Sequence, residues 1–227
     1  MKIGILQCGH VAPEVAAEHG GYFDLYPQMM EGHGFTFEGW SVVDMEFPAS
    51  PEDADGWLVS GSKHGAYEDH PFIAPLEEFI RQIMAADKPL IGVCFGHQII
   101  AQALGGKVEK WQGGWAIGAH MYDFPGESLM MNAWHQDQVT QKPEDADVIA
   151  ANPFCANAAL VYPGKAFTVQ PHPEFESPFV EGLMEHRGKG VVPDELLRIA
   201  REHLGDANDN TRMAEIFARF FRTRSLS

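Results

Sequence analysis

Apolar residues fall along this chain in two rhythms. Short, nearly unbroken runs occur at 2–8 (KIGILQC), 35–44 (FTFEGWSVVD), 54–62 (ADGWLVSGS) and 89–93 (PLIGV), and they read as buried strands. Between the last two, 70–88 spaces Leu76, Phe79, Ile80, Ile83 and Met84 by three and four, with Pro75 near the start, which predicts an amphipathic helix. A second helix is expected over 96–106, closed by Gly105-Gly106 where a C-terminal glycine belongs. Strand and helix in alternation predict an α/β fold: a doubly wound, mostly parallel sheet with helices on both faces. From 107 to about 170 the rhythm changes to β-like runs separated by turns, so antiparallel strands are expected beside the parallel sheet. The segments 193–204 and 211–224 return to helical spacing. No repeat or linker interrupts the pattern, and 1–227 is expected to be one domain.

Composition narrows the function classes. A formal charge of -16 disfavours a nucleic-acid partner, because phosphate binding needs clustered Lys and Arg. No run approaches a membrane span and the start lacks a signal-peptide pattern, so a cytoplasmic protein without a membrane partner is expected. Three cysteines, Cys8, Cys94 and Cys155, form no disulfide framework, and reduced thiols are expected. Neither HExxH nor paired CxxC spacing appears, so no metal and no cofactor are expected.

One thiol stands apart. Gly92-Val93-Cys94-Phe95-Gly96 has the form G-x-C-x-G at a strand-to-helix corner, the thiol version of a nucleophile elbow. Glycine on either side avoids collision across so sharp a turn, and the start of the next helix favours the thiolate. A Phe95 N–H at that corner would face a developing oxyanion. Cys8 and Cys155 lack this setting and read as core residues.

A nucleophilic thiol needs a base and an orienting group. Residues 167–175, FTVQPHPEF, run from an apolar strand into Pro171-His172-Pro173-Glu174. Residues two apart on extended chain project to one side, so His172 and Glu174 can be held together, and the prolines mark a strand end.

GVCFGHQ and QPHPEF, in that order, resemble the class I glutamine amidotransferase family, which carries G-x-C-x-G-x-Q and a distant His-Pro-Glu. The resemblance implies a flavodoxin-like α/β domain in which Cys94 is the nucleophile, His172 the general base and acid, and Glu174 the group orienting the imidazole. It further implies an oxyanion hole from Gly61, in VSGSKHGAY, together with Phe95, and substrate contact by Gln98, which is otherwise a helix-surface residue. WHQDQV (134–139) stands where relatives that make GMP have Ser-His-Gly-Asp; His135 and Asp137 are candidates for substrate positioning, and Gln136 in place of glycine reshapes the pocket. The implied reaction is release of ammonia from glutamine through a γ-glutamyl thioester, with a separate synthase subunit as a possible ammonia acceptor. A free-standing γ-glutamyl peptidase is the alternative, followed by a non-catalytic regulatory module. Chaperone or deglycase types of the same superfamily lack the downstream His-x-Glu.

Overall fold

Burial on both faces explains why the central strands read as unbroken apolar runs. The computed structural model describes residues 1–226. Strand β1 (Lys2–Leu6) leads through two short helices, α1 (Pro13–His19) and α2 (Tyr22–Met29), into β2 (Thr36–Trp40). Then come β3 (Gly56–Val59), α3 (Ile73–Ala85), β4 (Leu90–Val93) and α4 (Phe95–Ala103). Four strands follow, β5 (Lys107–Lys110), β6 (Ala116–Phe124), β7 (Glu127–His135) and β8 (Asp137–Gln141), then β9 (Asp147–Ala150), β10 (Ala159–Tyr162) and β11 (Ala166–Val169). The chain ends in α5 (Ser177–Leu183), a π-helical turn (Met184–Gly188), α6 (Asp194–Glu202) and α7 (Asn210–Thr223).

The main sheet has the order β2-β1-β3-β4-β11-β10-β9. Strands β2, β1, β3, β4 and β11 run parallel; β10 and β9 extend the sheet antiparallel. Every residue of β3, β4 and β11 is buried. One face carries α3 and α4, whose Leu76, Phe79, Ile80, Ile83, Ile99 and Ile100 pack on Trp57 and Leu90. On the other face, Tyr22, Tyr26, Phe217 and Phe220 share a core with Ile3, Ile5 and Phe167. The two-layered cover is the expected doubly wound arrangement.

Helices α1, α2 and α5 do not stand out in the apolar pattern. They are seven or eight residues long, and proline near the start of α1 and α5 or within α2 blurs the spacing that would mark a helix. The run 157–170 holds two strands: β10 turns back at Gly164, φ 71°, and β11 inserts parallel to β4. Outside the main sheet, β6 pairs with β7 and β5 with β8, both antiparallel.

This topology sets the site. Because β3, β4 and β11 are adjacent and parallel, their C-terminal ends open at one edge, where open α/β sheets bind ligands. The turn after β3 carries Gly61 and Ser62, the corner after β4 carries Cys94, and the segment after β11 carries His172 and Glu174.

Candidate functional site

Cys94 occupies a backbone conformation that L-residues rarely take, φ 53° and ψ −104°. The corner leaves no room beside it. A Cβ on Gly96 would lie 2.1 Å from the Val59 carbonyl oxygen, and one on Gly92 would lie 2.6 Å from the Gly96 carbonyl oxygen. Two backbone bonds pin the turn: Cys94 N–H donates to Val169 at 2.9 Å, and the Cys94 carbonyl accepts from Gln98 at 3.1 Å. Phe95 opens α4, and amides of a first helical turn find no acceptor within their own helix.

His172 is buried, and its Nδ1 lies 2.8 Å from Glu174 Oε1. With Nδ1 held by the carboxylate, Nε2 is the nitrogen left for Cys94. The ring stacks on Phe175 with centroids 4.0 Å apart and planes 4° apart, and Phe175 stacks in turn on Phe179. The His172 N–H donates to the Asn132 carbonyl at 2.8 Å, while Asn132 and Asn210 side chains donate to the Phe175 carbonyl. The imidazole is thereby fixed in orientation from ring, backbone and carboxylate at once. Burial alone would lower its pKa; the charge and hydrogen bonding of Cys94 and Glu174 together outweigh that and raise it above the usual histidine range.

Sequence reasoning missed the Tyr22–Tyr26 pair of α2, whose i, i+4 spacing is indistinguishable from a core stripe. The Tyr26 hydroxyl donates to Glu174 Oε1 at 3.1 Å, the same oxygen that holds His172. Burial, with the Glu174 charge next, pushes the Tyr26 phenol well up, so it stays protonated and remains a donor. Glu174 Oε2 is buried without a partner among the described residues, which concentrates the carboxylate's interactions on one oxygen.

Two cavities meet here. One of about 280 Å³ reaches Cys94 and is lined in part by Ser62, Gln98, His135, Gln136 and Asp137. A smaller one of about 70 Å³ reaches His172 and Tyr22. Gly61 lines neither. A Cβ there would meet Tyr22 Oη at 2.7 Å and His172 Cε1 at 2.9 Å. Ser62, next along, lines both cavities.

Gln98 is buried rather than on the helix surface, and its Nε2 donates to the Asp137 carbonyl at 2.9 Å and to Gln170 Oε1 at 3.1 Å. It ties α4 to the start of β8. His135 is also buried; Nδ1 lies 3.1 Å from the Asp137 carbonyl, so it carries the proton and leaves Nε2 as an unpartnered acceptor. Burial drops its pKa to about 3, so the ring is neutral. Asp137 is half-buried, raised in pKa by burial, and accepts from the Tyr67 hydroxyl at 3.2 Å. Cys8 and Cys155 are buried thiols whose pKa burial pushes up, Cys155 to about 12, as core cysteines should be.

Beside the cavity, His64, Glu68 and His70 bring metal-capable atoms within 4.8 Å of one another. Their H-x3-E-x-H spacing matches none of the ligand motifs on which the expectation of no metal rests.

The family model for glutamine amidotransferase class-I matches residues 39–180. Gamma-glutamyl peptidase 2 of Arabidopsis thaliana is 28% identical over 219 residues, covering 89% of this chain and 88% of the relative. GMP synthase [glutamine-hydrolyzing] of Pyrobaculum aerophilum is 31% identical over 193 residues, 80% of this chain but 35% of that protein. Among solved structures, a glutamine amido transferase from Methylobacillus flagellatus superposes with a TM-score of 0.76 at 21% identity, covering 99% of this chain and 92% of the other.

Proposed function

Since the chain belongs to the class I glutamine amidotransferase family, whose chemistry is hydrolysis at glutamine and γ-glutamyl compounds, we propose that it cleaves a γ-glutamyl amide with Cys94, His172 and Glu174 as catalytic triad. The observation that carries this reading is the strained corner at Cys94 beside a buried histidine whose Nδ1 is held by a carboxylate.

The Cys94 thiolate attacks the γ-carbonyl carbon, forming the C–S bond and an oxyanion. Amides of Phe95 and of the Gly61–Ser62 turn stabilise that charge. The His172 imidazolium gives its Nε2 proton to the departing nitrogen as the C–N bond breaks, leaving a γ-glutamyl thioester. His172 then takes a proton from water, whose oxygen attacks the thioester; glutamate leaves and the thiolate returns. Glu174 keeps the imidazole oriented through both halves.

With glutamine the first product is ammonia, and a separate synthase subunit would receive it. With a γ-glutamyl peptide it is an amino acid or peptide. Supporting the second substrate are the near full-length likeness to a γ-glutamyl peptidase and Gln136 in the cavity wall. Comparing initial rates on glutamine and γ-glutamyl peptides separates the two. Cys94→Ala is expected to remove nearly all hydrolysis of either, and a diazoketone analogue of glutamine to alkylate Cys94, read by peptide mass. Wild-type rates in the variant would sink the triad; an unlabelled Cys94 in the native protein would favour a non-catalytic module.

A further inference from the structure

The two cavities share four wall residues: Ser62, Lys63, Trp134 and Arg187. Their position has chemical meaning. The acyl carbon must sit at Cys94, and the departing nitrogen must face His172, which protonates it. Whatever is attached to that nitrogen therefore passes the residues lining both the Cys94 cavity and the His172 cavity. Two of the four are cations and none is acidic.

The molecule as a whole is acidic, with 16 Lys and Arg against 32 Asp and Glu. Among the described residues neither the Lys63 nor the Arg187 side chain takes part in an ion pair or a hydrogen bond. Elsewhere acidic neighbours engage some of the basic side chains, as Glu38 does Lys2 and Glu127 does Arg212. Lys63 directly follows the Gly61–Ser62 turn. Arg187 lies in the π-helical turn Met184–Gly188, a rare conformation that recurs at functional sites. The carboxylates lining the larger cavity, Glu68 and Asp137, are held by His70 and Gly65 and by Tyr67, and line only that cavity.

Resting on the thioester reading above, we propose that Lys63 and Arg187 form a subsite for a carboxylate on the departing amine, so that the preferred substrate is a γ-glutamyl amino acid or short γ-glutamyl peptide. Ammonia leaving from glutamine has no group to fill this subsite. The Trp134 indole, which lines both cavities with the two cations, suits an aliphatic or aromatic side chain next to that carboxylate.

The test uses the purified full chain and two substrates that differ by one carboxylate, γ-glutamylalanine and γ-glutamylethylamide. A charge-assisted contact of this kind is worth about tenfold in kcat/KM, so γ-glutamylalanine should be preferred by at least about tenfold at low salt, and less as salt rises. In Lys63→Gln/Arg187→Gln the preference should fall to about twofold or less, with the single variants, which guard against misfolding of the double, falling between. Equal rates on the two substrates in the wild type, or a double variant that loses both equally, overturns the subsite. Hydrolysis of glutamine without cleavage of γ-glutamylalanine also overturns it while leaving the triad standing. Failure of the triad itself looks different: no turnover of any of the three substrates, and no alkylation of Cys94 by the diazoketone, which has no departing amine.

Discussion

Glu174 Oε1 is the narrowest point in the site, since one oxygen holds both the His172 Nδ1 proton and the Tyr26 hydroxyl. Tyr26 is a positioning residue, as it acts on His172 only through this carboxylate. A hydrogen bond to a charged group contributes about 1.5–3 kcal/mol, so Tyr26→Phe should lower kcat about tenfold. KM should move by less than about twofold, because the hydroxyl does not reach the substrate. Steady-state kinetics on one γ-glutamyl substrate decide this; equal losses in 1/KM and kcat would make Tyr26 a general packing residue instead. The same oxygen-sharing explains the buried phenol. A tyrosine whose ionisation is suppressed by burial and by a neighbouring carboxylate is a dependable donor across the working pH range.

At the scale of elements, the β4–α4 corner depends on two close approaches. Placing a Cβ at Gly96, 2.1 Å from the Val59 carbonyl oxygen, requires α4 to move away from β3, because the clashing atom is backbone. Gly96→Ala should cost about 2 kcal/mol or more, visible as a lower urea midpoint with unchanged slope. Unchanged stability would mean that the corner tolerates displacement and that its glycine serves no packing purpose. Corner strain bears on chemistry as well as stability. The φ of 53° aims Cys94 off the strand axis toward the cavity rather than along either face of the sheet. How much of this was legible beforehand differs by element. G-x-C-x-G announced the corner, since only a sharp turn requires small residues at that spacing. Nothing in YFDLYPQM announced α2 as a supplier of Tyr26, because its apolar face and its site-facing hydroxyl occupy one helical stripe.

Over the whole molecule, two neutral histidines buried in the fold couple stability to acid. Burial drops His97 and His135 to about 3, against about 6.5 in an unfolded chain. Between those values the unfolded state binds more protons than the folded one, so stability rises with pH there and is lost as pH falls below about 6.5 toward 3. Each histidine contributes a slope of up to about 1.4 kcal/mol per pH unit. His97 Nδ1 lies 2.8 Å from Thr168 Oγ1, a position that an asparagine amide nitrogen can occupy. Relative to the wild type, His97→Asn should therefore lose less stability between about pH 6 and about pH 4, by about 1–2 kcal/mol, in parallel urea titrations. Identical acid profiles would show that His97 is already protonated in the fold. No helix among the described residues is long and apolar enough to cross a membrane.

The amino-acid sequence by itself determined what is local and periodic: the alternation of strand and helix, the glycine-flanked thiol at a strand end, and the proline-braced His172 and Glu174 two residues apart. These are settled by steric and periodic rules acting over a few residues. Tertiary structure alone decided what depends on strand order. Inserting β11 beside β4 brings residues 94 and 172 to one edge, and packing α2 below that edge delivers the Tyr26 hydroxyl to Glu174. The same packing buries Gln98, turns His135 into a neutral acceptor, and leaves Lys63 and Arg187 facing one passage without acidic partners. Such contacts join residues far apart in the chain, and no local spacing records them.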